Sequence, residues 1–258
     1  MLIVRQALRG VAETIELDEI ELNDISTAVT EACNNVVQHA YRSGTGALEV
    51  ELRRAAGALE VVVRDHGVGI AAGTGAHDGD EEEGGIGMPV MRALSQHVSF
   101  EELPAGGTEV RMSFASRGAL PLDAPLGAEG VDALLRAREG VDDTISVWVG
   151  PATLARAVLR RVLAALAARA RFSAERVTQT QLLADELAGK LAHDGLSAGI
   201  SVAPRSLEMA VGPLRAGSSA GGPSAVLERL AESHDVVQSD AVAEVLAVRL
   251  VEPARSSA

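Results

Sequence analysis

Lysine is almost missing from this chain. Of 258 residues only Lys190 is a lysine, so nearly all the basic charge is arginine. A phosphate-binding P-loop needs Gly-x-x-x-x-Gly-Lys-Ser/Thr, and Lys190 sits in Ala188-Gly-Lys-Leu-Ala192, so that class is excluded. A eukaryotic-type protein kinase needs a strand lysine for the phosphates, and it is excluded on the same ground. Cysteine is equally scarce: Cys33 stands alone, which rules out a disulfide framework and fits a reducing, cytoplasmic setting. Aromatic residues make up 2% of the chain, so any core must be built from Leu, Val, Ile and Ala. Positive charge is not in excess. A net charge of −13 argues against a non-specific grip on nucleic acid or anionic lipid. Long apolar runs are also lacking. The longest helical one, 162–168, is flanked by Arg160, Arg161, Arg169 and Arg171, far short of a membrane span. Residues 1–4 reach Arg5 too soon for a secretory leader. Six histidines are scattered without metal-ligand spacing, so no zinc site is expected.

What is present is a repeated order of elements. Residues 2–15 carry apolar positions at helical spacing. A short acidic break over 17–22 precedes a second helix, for which Asn23 or Asp24 is a candidate N-cap. In it Ile25, Val29, Cys33, Val36 and Ala40 form one apolar stripe that should face a sheet. Glu31 and Asn35, four residues apart, lie together on the other side. Strands over 48–53 and 59–64 read as a hairpin. Residues 70–83 are rich in Gly, Ala and acid, without periodicity, and are expected to form a solvated lid. A helix over 86–95 with Pro89 in its first turn follows, then a second hairpin over 98–103 and 108–114.

Residues 117–143 read as a linker with a short helix over 131–138. Beyond it come a strand at 144–149, helices at 151–171 and 175–193, paired strands at 200–202 and 207–211, a helix at 226–232 and a strand at 243–251. This is the earlier order again. The run 182–193 lies over 28–39 without a gap, 207–211 over 59–63, and 243–245 over 108–110. In that alignment Glu31 meets Asp185, Asn35 meets Gly189, Asp65 meets Pro213 and Gly67 meets Arg215. The scaffold repeats while its polar residues do not. The expected domains are 1–116, the linker 117–143, a degenerate copy at 144–252 and a tail at 253–258. Fold class is α+β: in each copy helices cover one face of a mostly antiparallel sheet, a two-layer sandwich.

Several short motifs could carry chemistry. An Asn oxygen such as Asn35 is a suitable hard ligand for Mg²⁺, and a Glu one turn away can orient or deprotonate a hydroxyl. Asp65-x-Gly67-x-Gly69 follows a buried strand, where a carboxylate can accept the exocyclic N–H of adenine and absent side chains let backbone approach the ring. Gly85 and Gly87 open a helix whose free N–H groups can receive phosphate oxygens. Gly106-Gly107-Thr108 either turns a hairpin or sets a hydroxyl near the base. Each motif alone is equally well explained as a solvated helix face, a turn or a loop junction. Their order is more telling: Glu-x-x-x-Asn, a hairpin, Asp-x-Gly-x-Gly, a lid, Gly-x-Gly, then Gly-Thr before a strand.

Residues 1–116 thereby resemble the ATP-binding superfamily of DNA gyrase, the ninety-kilodalton chaperone, histidine kinases and MutL. Within it, Thr30-Glu-Ala-Cys-Asn-Asn-Val-Val-Gln-His-Ala-Tyr41 is similar to the signature of anti-sigma-factor serine/threonine kinases of the RsbW type. The resemblance implies a Bergerat-type sandwich with ATP and Mg²⁺ as cofactors. It makes Asn35 the metal ligand, Glu31 the general base and Asp65 the adenine acceptor, with Gly67, Gly69, Gly85 and Gly87 lining the nucleotide and Thr108 near the base. It implies transfer of the ATP γ-phosphate to a serine or threonine of an anti-anti-sigma (STAS-domain) partner, with a sigma factor as the protein held inactive by binding, and it leaves homodimerisation open. No direct nucleic-acid or membrane role is expected. The competing reading is an ATP-gated binding module that sequesters a regulatory protein without moving phosphate. The second copy, with Gly189, Pro213 and Arg215 at the ligand positions, is expected to bind no nucleotide and to serve a partner or regulatory role. The family pattern also carries a strand ahead of the first helix; 144–149 supplies it in the second copy. No cation for the transferring phosphoryl group stands out, and Arg92 is the one candidate.

Overall fold

The helix that carries Glu31 and Asn35 starts a turn earlier than expected. In the computed structural model, which describes residues 1–41, 46–55, 58–68, 87–115, 145–149, 152–192, 195–217, 225–239 and 243–253, α1 spans Leu2–Ile15 and α2 spans Glu19–Asn35. The N-cap is Asp18, not Asn23 or Asp24. The Glu21 amide donates to Asp18 Oδ1 at 2.8 Å and the Asp18 amide to Glu21 Oε2 at 3.0 Å. That capping box satisfies two otherwise orphan donors, and Glu19 and Glu21 sit where the helix dipole favours negative charge. The acidic run read as a break is therefore the first turn.

From there the apolar stripe of α2 behaves as its spacing requires. Ile25, Val29, Cys33, Val36 and Ala40 are all buried. The last two lie in a π-helical turn, Val36–Ala40, that follows Asn35 directly. Two antiparallel hairpins complete the first unit: β1 (Leu48–Ala55) with β2 (Ala58–Asp65), and β3 (His97–Glu102) with β4 (Thr108–Ala115). Strands β2 and β4 also pair, giving the sheet order β1-β2-β4-β3. Between the hairpins α3 (Gly87–Leu94) packs on α2 and buries Met91. Leu59, Val61 and Val63 of β2 are fully buried and, two apart, share one face of the sheet. The other face carries a charge ladder. Arg64 reaches Glu109 at 2.5 Å and Glu51 at 2.8 Å, while Arg111 pairs with Glu109 and, at 3.4 Å, with Glu60. Burial alone would lower the Arg64 pKa, but its hydrogen bonds to Glu109 and Glu51 outweigh that and raise it.

The described residues fall into two compact units: Ile3–Leu8 and the chain from Ile15 through β4 in the first, Arg9–Thr14 and everything from β5 on in the second. The second unit runs β5 (Ile145–Val149), α4 (Ala152–Arg169), α5 (Ala174–Gly189), β6 (Leu196–Ala203), β7 (Ser206–Arg215), α6 (Ala225–Leu230), β8 (Ser233–Ser239) and β9 (Ala243–Val251). Its sheet order is β5-β6-β7-β9-β8, which is the first unit's order with β5 added at the β6 edge. Strand β8 was not expected from the sequence, and β6 is longer than expected. With almost no aromatics, the core is leucine on leucine: Leu154, Leu159, Leu163, Leu166 and Leu183 are fully buried. The expected lid at 70–83 and the helix at 131–138 lie outside the described residues.

Candidate functional site

Glu31 and Asn35 project from the half-buried flank of α2, one turn apart, and the stripe opposite them fixes which way that flank faces. What it faces is the start of α3. A Cβ placed on Gly87 would fall 3.2 Å from Glu31 Oε2, 3.5 Å from Asn35 Oδ1 and 3.6 Å from Asn35 Nδ2. A carboxylate, a carboxamide and a helix N-terminus, whose first N–H groups have no partner within the helix, thus converge on one spot. Hard oxygen donors in small number suit Mg²⁺, which keeps waters and takes its remaining ligands from phosphates. No cluster of three or more His, Cys, Asp or Glu able to hold a metal occurs among the described residues. The residues present fit the ion. Arg92 is exposed on α3, five residues past Gly87.

Asp65 belongs to a second group, just beyond the C-terminal end of α2, against the π-helical turn that follows Asn35. It closes β2 and is 3% exposed, and its Oδ1 accepts the Gly67 amide at 2.8 Å. Gly67 presses on the end of the π-helical turn, where a Cβ would sit 2.0 Å from the Ala40 carbonyl oxygen; that carbonyl accepts the Val68 amide at 3.0 Å. Gly107, at φ +98°, backs onto the Asp65–His66 peptide, and a Cβ there would be 2.1 Å from the Asp65 carbonyl oxygen. Only glycine can take both that φ and that approach. Thr108, next in the chain, is buried at the start of β4. The structure therefore brings Asp65, Gly67 and the Gly107-Thr108 turn together, and separately Glu31, Asn35 and Gly87, with one helix joining the two groups. Gly69 and Gly85 lie outside the described residues. Sequence reasoning gave no role to the Ala40 carbonyl, and it read Gly106-Gly107-Thr108 as a hairpin turn or a hydroxyl near the base without the close approach of Gly107 to Asp65.

Cys33 lies between Glu31 and Asn35 in sequence but points the other way. It is fully buried, and burial pushes its thiol pKa up to about 11, so it packs as a small apolar group.

In the second unit α5 ends at Gly189 as α2 ends at Asn35. Asp185, at the position of Glu31, has Arg156 Nε at 3.9 Å and Arg160 Nε at 3.7 Å. Arg215 donates to the carbonyls of Gly189 at 2.7 Å and Leu191 at 3.4 Å. The gapless alignment needs one correction. An irregularity between Val211 and Leu214 shifts the β7–β9 register, so Glu244 pairs with Leu214 and Ala243 with Arg215. With Thr108-Glu109 matched to Ala243-Glu244, Arg215 rather than Pro213 stands in the register of Asp65. In that alignment a base stands where the first unit has an acid.

Residues 2–114 match the family described as "Histidine kinase-like ATPase domain". A serine-protein kinase RsbW of Bacillus licheniformis is 31% identical over 126 residues, covering 45% of this chain and 78% of the relative. The serine-protein kinase RsbW of Bacillus subtilis strain 168 is 34% identical over 107 residues, covering 37% of this chain and 67% of the relative. That of Bacillus velezensis is 34% identical over 110 residues, covering 38% and 69%. Each of these matches spans less than half of the chain. The chain belongs to the histidine kinase-like ATPase family, as a relative of the RsbW serine-protein kinases.

Proposed function

We propose that the first unit is a Mg-ATP-dependent serine/threonine protein kinase that acts as an anti-sigma factor, phosphorylating an anti-anti-sigma (STAS-domain) partner. The observation that carries this reading is the convergence of Glu31, Asn35 and the start of α3 on one spot. Simple nucleotide binding needs an amide for the metal and N–H groups for phosphate; it does not need a carboxylate beside them. In this reading Asn35 Oδ1 holds Mg²⁺, and the first-turn amides of α3 receive phosphate oxygens. When bound, the metal neutralises charge on the β- and γ-phosphates. Glu31 accepts the proton of the partner's serine or threonine hydroxyl as its oxygen bonds to the γ-phosphorus and the bond to the β-phosphate oxygen breaks, releasing ADP. With Asp65 Oδ1 engaged by Gly67, Oδ2 accepts the adenine amine, and Thr108 stands beside it.

The second unit, on this reading, is a degenerate copy of the first, with the boundaries expected from sequence. It binds no nucleotide, because Gly189 offers no metal ligand and Arg215 meets the helix end with its own guanidinium. A partner-binding or regulatory role remains for it.

The test is transfer of labelled γ-phosphate to the STAS partner. Removing the carboxylate with Glu31→Ala should cut the transfer rate by about 10²–10⁴-fold, the usual worth of a general base, while Mg-ATP affinity stays within about threefold. Saturable ATP binding with no transfer by the unsubstituted chain would leave the sequestering module as the function. Equal loss of binding and transfer in Glu31→Ala would remove the base assignment.

A further inference from the structure

Tyr41 is the only tyrosine in the chain and closes the motif that begins at Thr30, yet the nucleotide reading gives it no task. It follows the π-helical turn directly. Its hydroxyl donates to the Ala47 carbonyl at 2.6 Å and accepts the His66 amide at 3.2 Å. Ala47 is the residue before β1, and His66 is the residue after Asp65 closes β2. Leu48 and Asp65 form the last register pair of that hairpin, so the phenol closes the ladder one step beyond it. The ring is packed closely on one side by Gly46, where a Cβ would fall 2.0 Å from its Cε1 and Cζ.

One peptide plane is therefore held at both ends. The plane joining Asp65 to His66 has its carbonyl packed on Gly107 and its N–H on the Tyr41 hydroxyl. Rotation of that plane would swing the Asp65 Cα and with it the carboxylate. The Gly67 amide on Oδ1 fixes the carboxylate only relative to its own turn, and cannot stop the turn from moving as a body. We propose that Tyr41 is a positioning residue for purine recognition: its hydroxyl pins the Asp65–His66 peptide so that the carboxylate meets the exocyclic amine of adenine in one fixed orientation. The proposal rests on the reading of Asp65 as the adenine acceptor.

The test uses the full chain and Tyr41→Phe, which keeps the ring and removes only the hydroxyl. Affinities for Mg-ATP and Mg-GTP are measured by titration, with transfer rate at saturating ATP and a thermal melt beside them. Loss of one hydrogen bond at the base should weaken ATP about tenfold. GTP, which carries a carbonyl where adenine has its amine, should change less than about twofold, so that ATP-over-GTP selectivity falls with ATP affinity. The rate at saturating ATP should stay within about twofold, since the groups at Glu31 and Asn35 are untouched. In an Asp65→Asn background the same substitution should change ATP affinity less than about twofold, because the two act on one contact. Equal weakening of ATP and GTP, unchanged selectivity with only a lower melting temperature, or additive effects with Asp65→Asn would each overturn the assignment. Should Tyr41→Phe not fold, Gly46→Ala displaces the ring while keeping its hydroxyl; it must show the same loss of selectivity, and full selectivity in it overturns the proposal. If the unsubstituted chain shows no preference for ATP over GTP, the reading of Asp65 fails and Tyr41 falls with it. If that preference exists and survives Tyr41→Phe, only Tyr41 falls.

Discussion

Gly87 offers a way to disturb the site without disturbing the fold. It is the first residue of α3 and is not among the glycines with positive φ, so alanine fits its backbone. Alanine is the better helix former, and the substitution should raise Tm by anything up to about 2–4 °C. The added methyl would lie 3.2 Å from Glu31 Oε2 but 3.5 Å from Asn35 Oδ1. The first contact is tight and the second is ordinary, so the carboxylate must yield by a few tenths of an ångström while the amide need not move. Misplacing a reacting group by 1 Å costs on the order of 10² in rate, so Gly87→Ala should lower transfer at saturating ATP about three- to tenfold and leave the KM for ATP within about twofold. Gly87→Val, whose branches reach both side chains, should cost about 10²-fold and weaken ATP as well. The assay is initial-rate transfer of labelled phosphate to the proposed STAS-domain partner, with a melt on each variant. Wild-type rate and affinity in Gly87→Val would refute the convergence of Glu31 and Asn35 on the α3 start. A loss of ATP affinity with full rate in Gly87→Ala would reverse the two roles.

Other consequences follow from the same contacts. Burial raises the Cys33 thiol to about 11 from an ordinary value of 9.0, so the folded state holds its proton where the unfolded state has lost it. Stability is then fully present below pH 9 and falls at up to about 1.4 kcal/mol per pH unit between 9 and 11; urea midpoints across that range should show an excess slope that Cys33→Ala removes. Arg64→Met deletes the bonds to Glu51 and Glu109 on the sheet's charged face and should cost about 2 kcal/mol in urea unfolding, an effect that Arg64→Lys only partly restores because one ammonium does not reproduce the fork. Titration of the full chain with Mg-ATP should saturate at one nucleotide per chain, and a second saturable site would contradict the reading of the second unit.

Much of the scaffold was legible because it rests on periodicity. The bounds of α1 and the buried stripe of α2 follow from where apolar residues recur, and burial follows the pattern residue by residue. The misses share a cause: a local signal outweighed by something nearby. Asn23 and Asp24 are good N-caps, but Asp18 has a Glu three residues on to close a capping box, and reciprocal bonding wins. Strand β8, Ser233–Ser239, is mostly polar and pairs only along β9, so it carries no alternation to read. At the site, Glu31 and Asn35 were readable as neighbours because four residues make one helical turn. That Gly87 faces them, and that Gly107 backs onto Asp65, depends on how α3 and the second hairpin pack. No local pattern encodes that.

The same distinction bears on why the proposed repeat keeps its frame and loses its polar residues. Positions such as Leu59, Val61 and Val63, with Leu207, Met209 and Val211 at the matching places, are buried on every side, so a change of volume there is felt at once. The helix end and the last residue of the central strand are, on the proposed reading, held to their chemistry by the ligand in the first unit, whereas in the second Arg215 reaches the helix end itself. A side chain at those places is constrained only by what it binds. Once binding is no longer required, the carbonyls at the end of α5 still need donors, and a guanidinium that reaches Gly189 and Leu191 supplies them. On the proposed reading, Arg215 stabilises the helix end by the same bonds that occupy the place of the site. Giving nucleotide binding to the second unit would therefore take more than placing an acid in the register of Asp65. It would also strip the α5 carbonyls of their partner, so function and stability are opposed in that unit in a way they are not in the first.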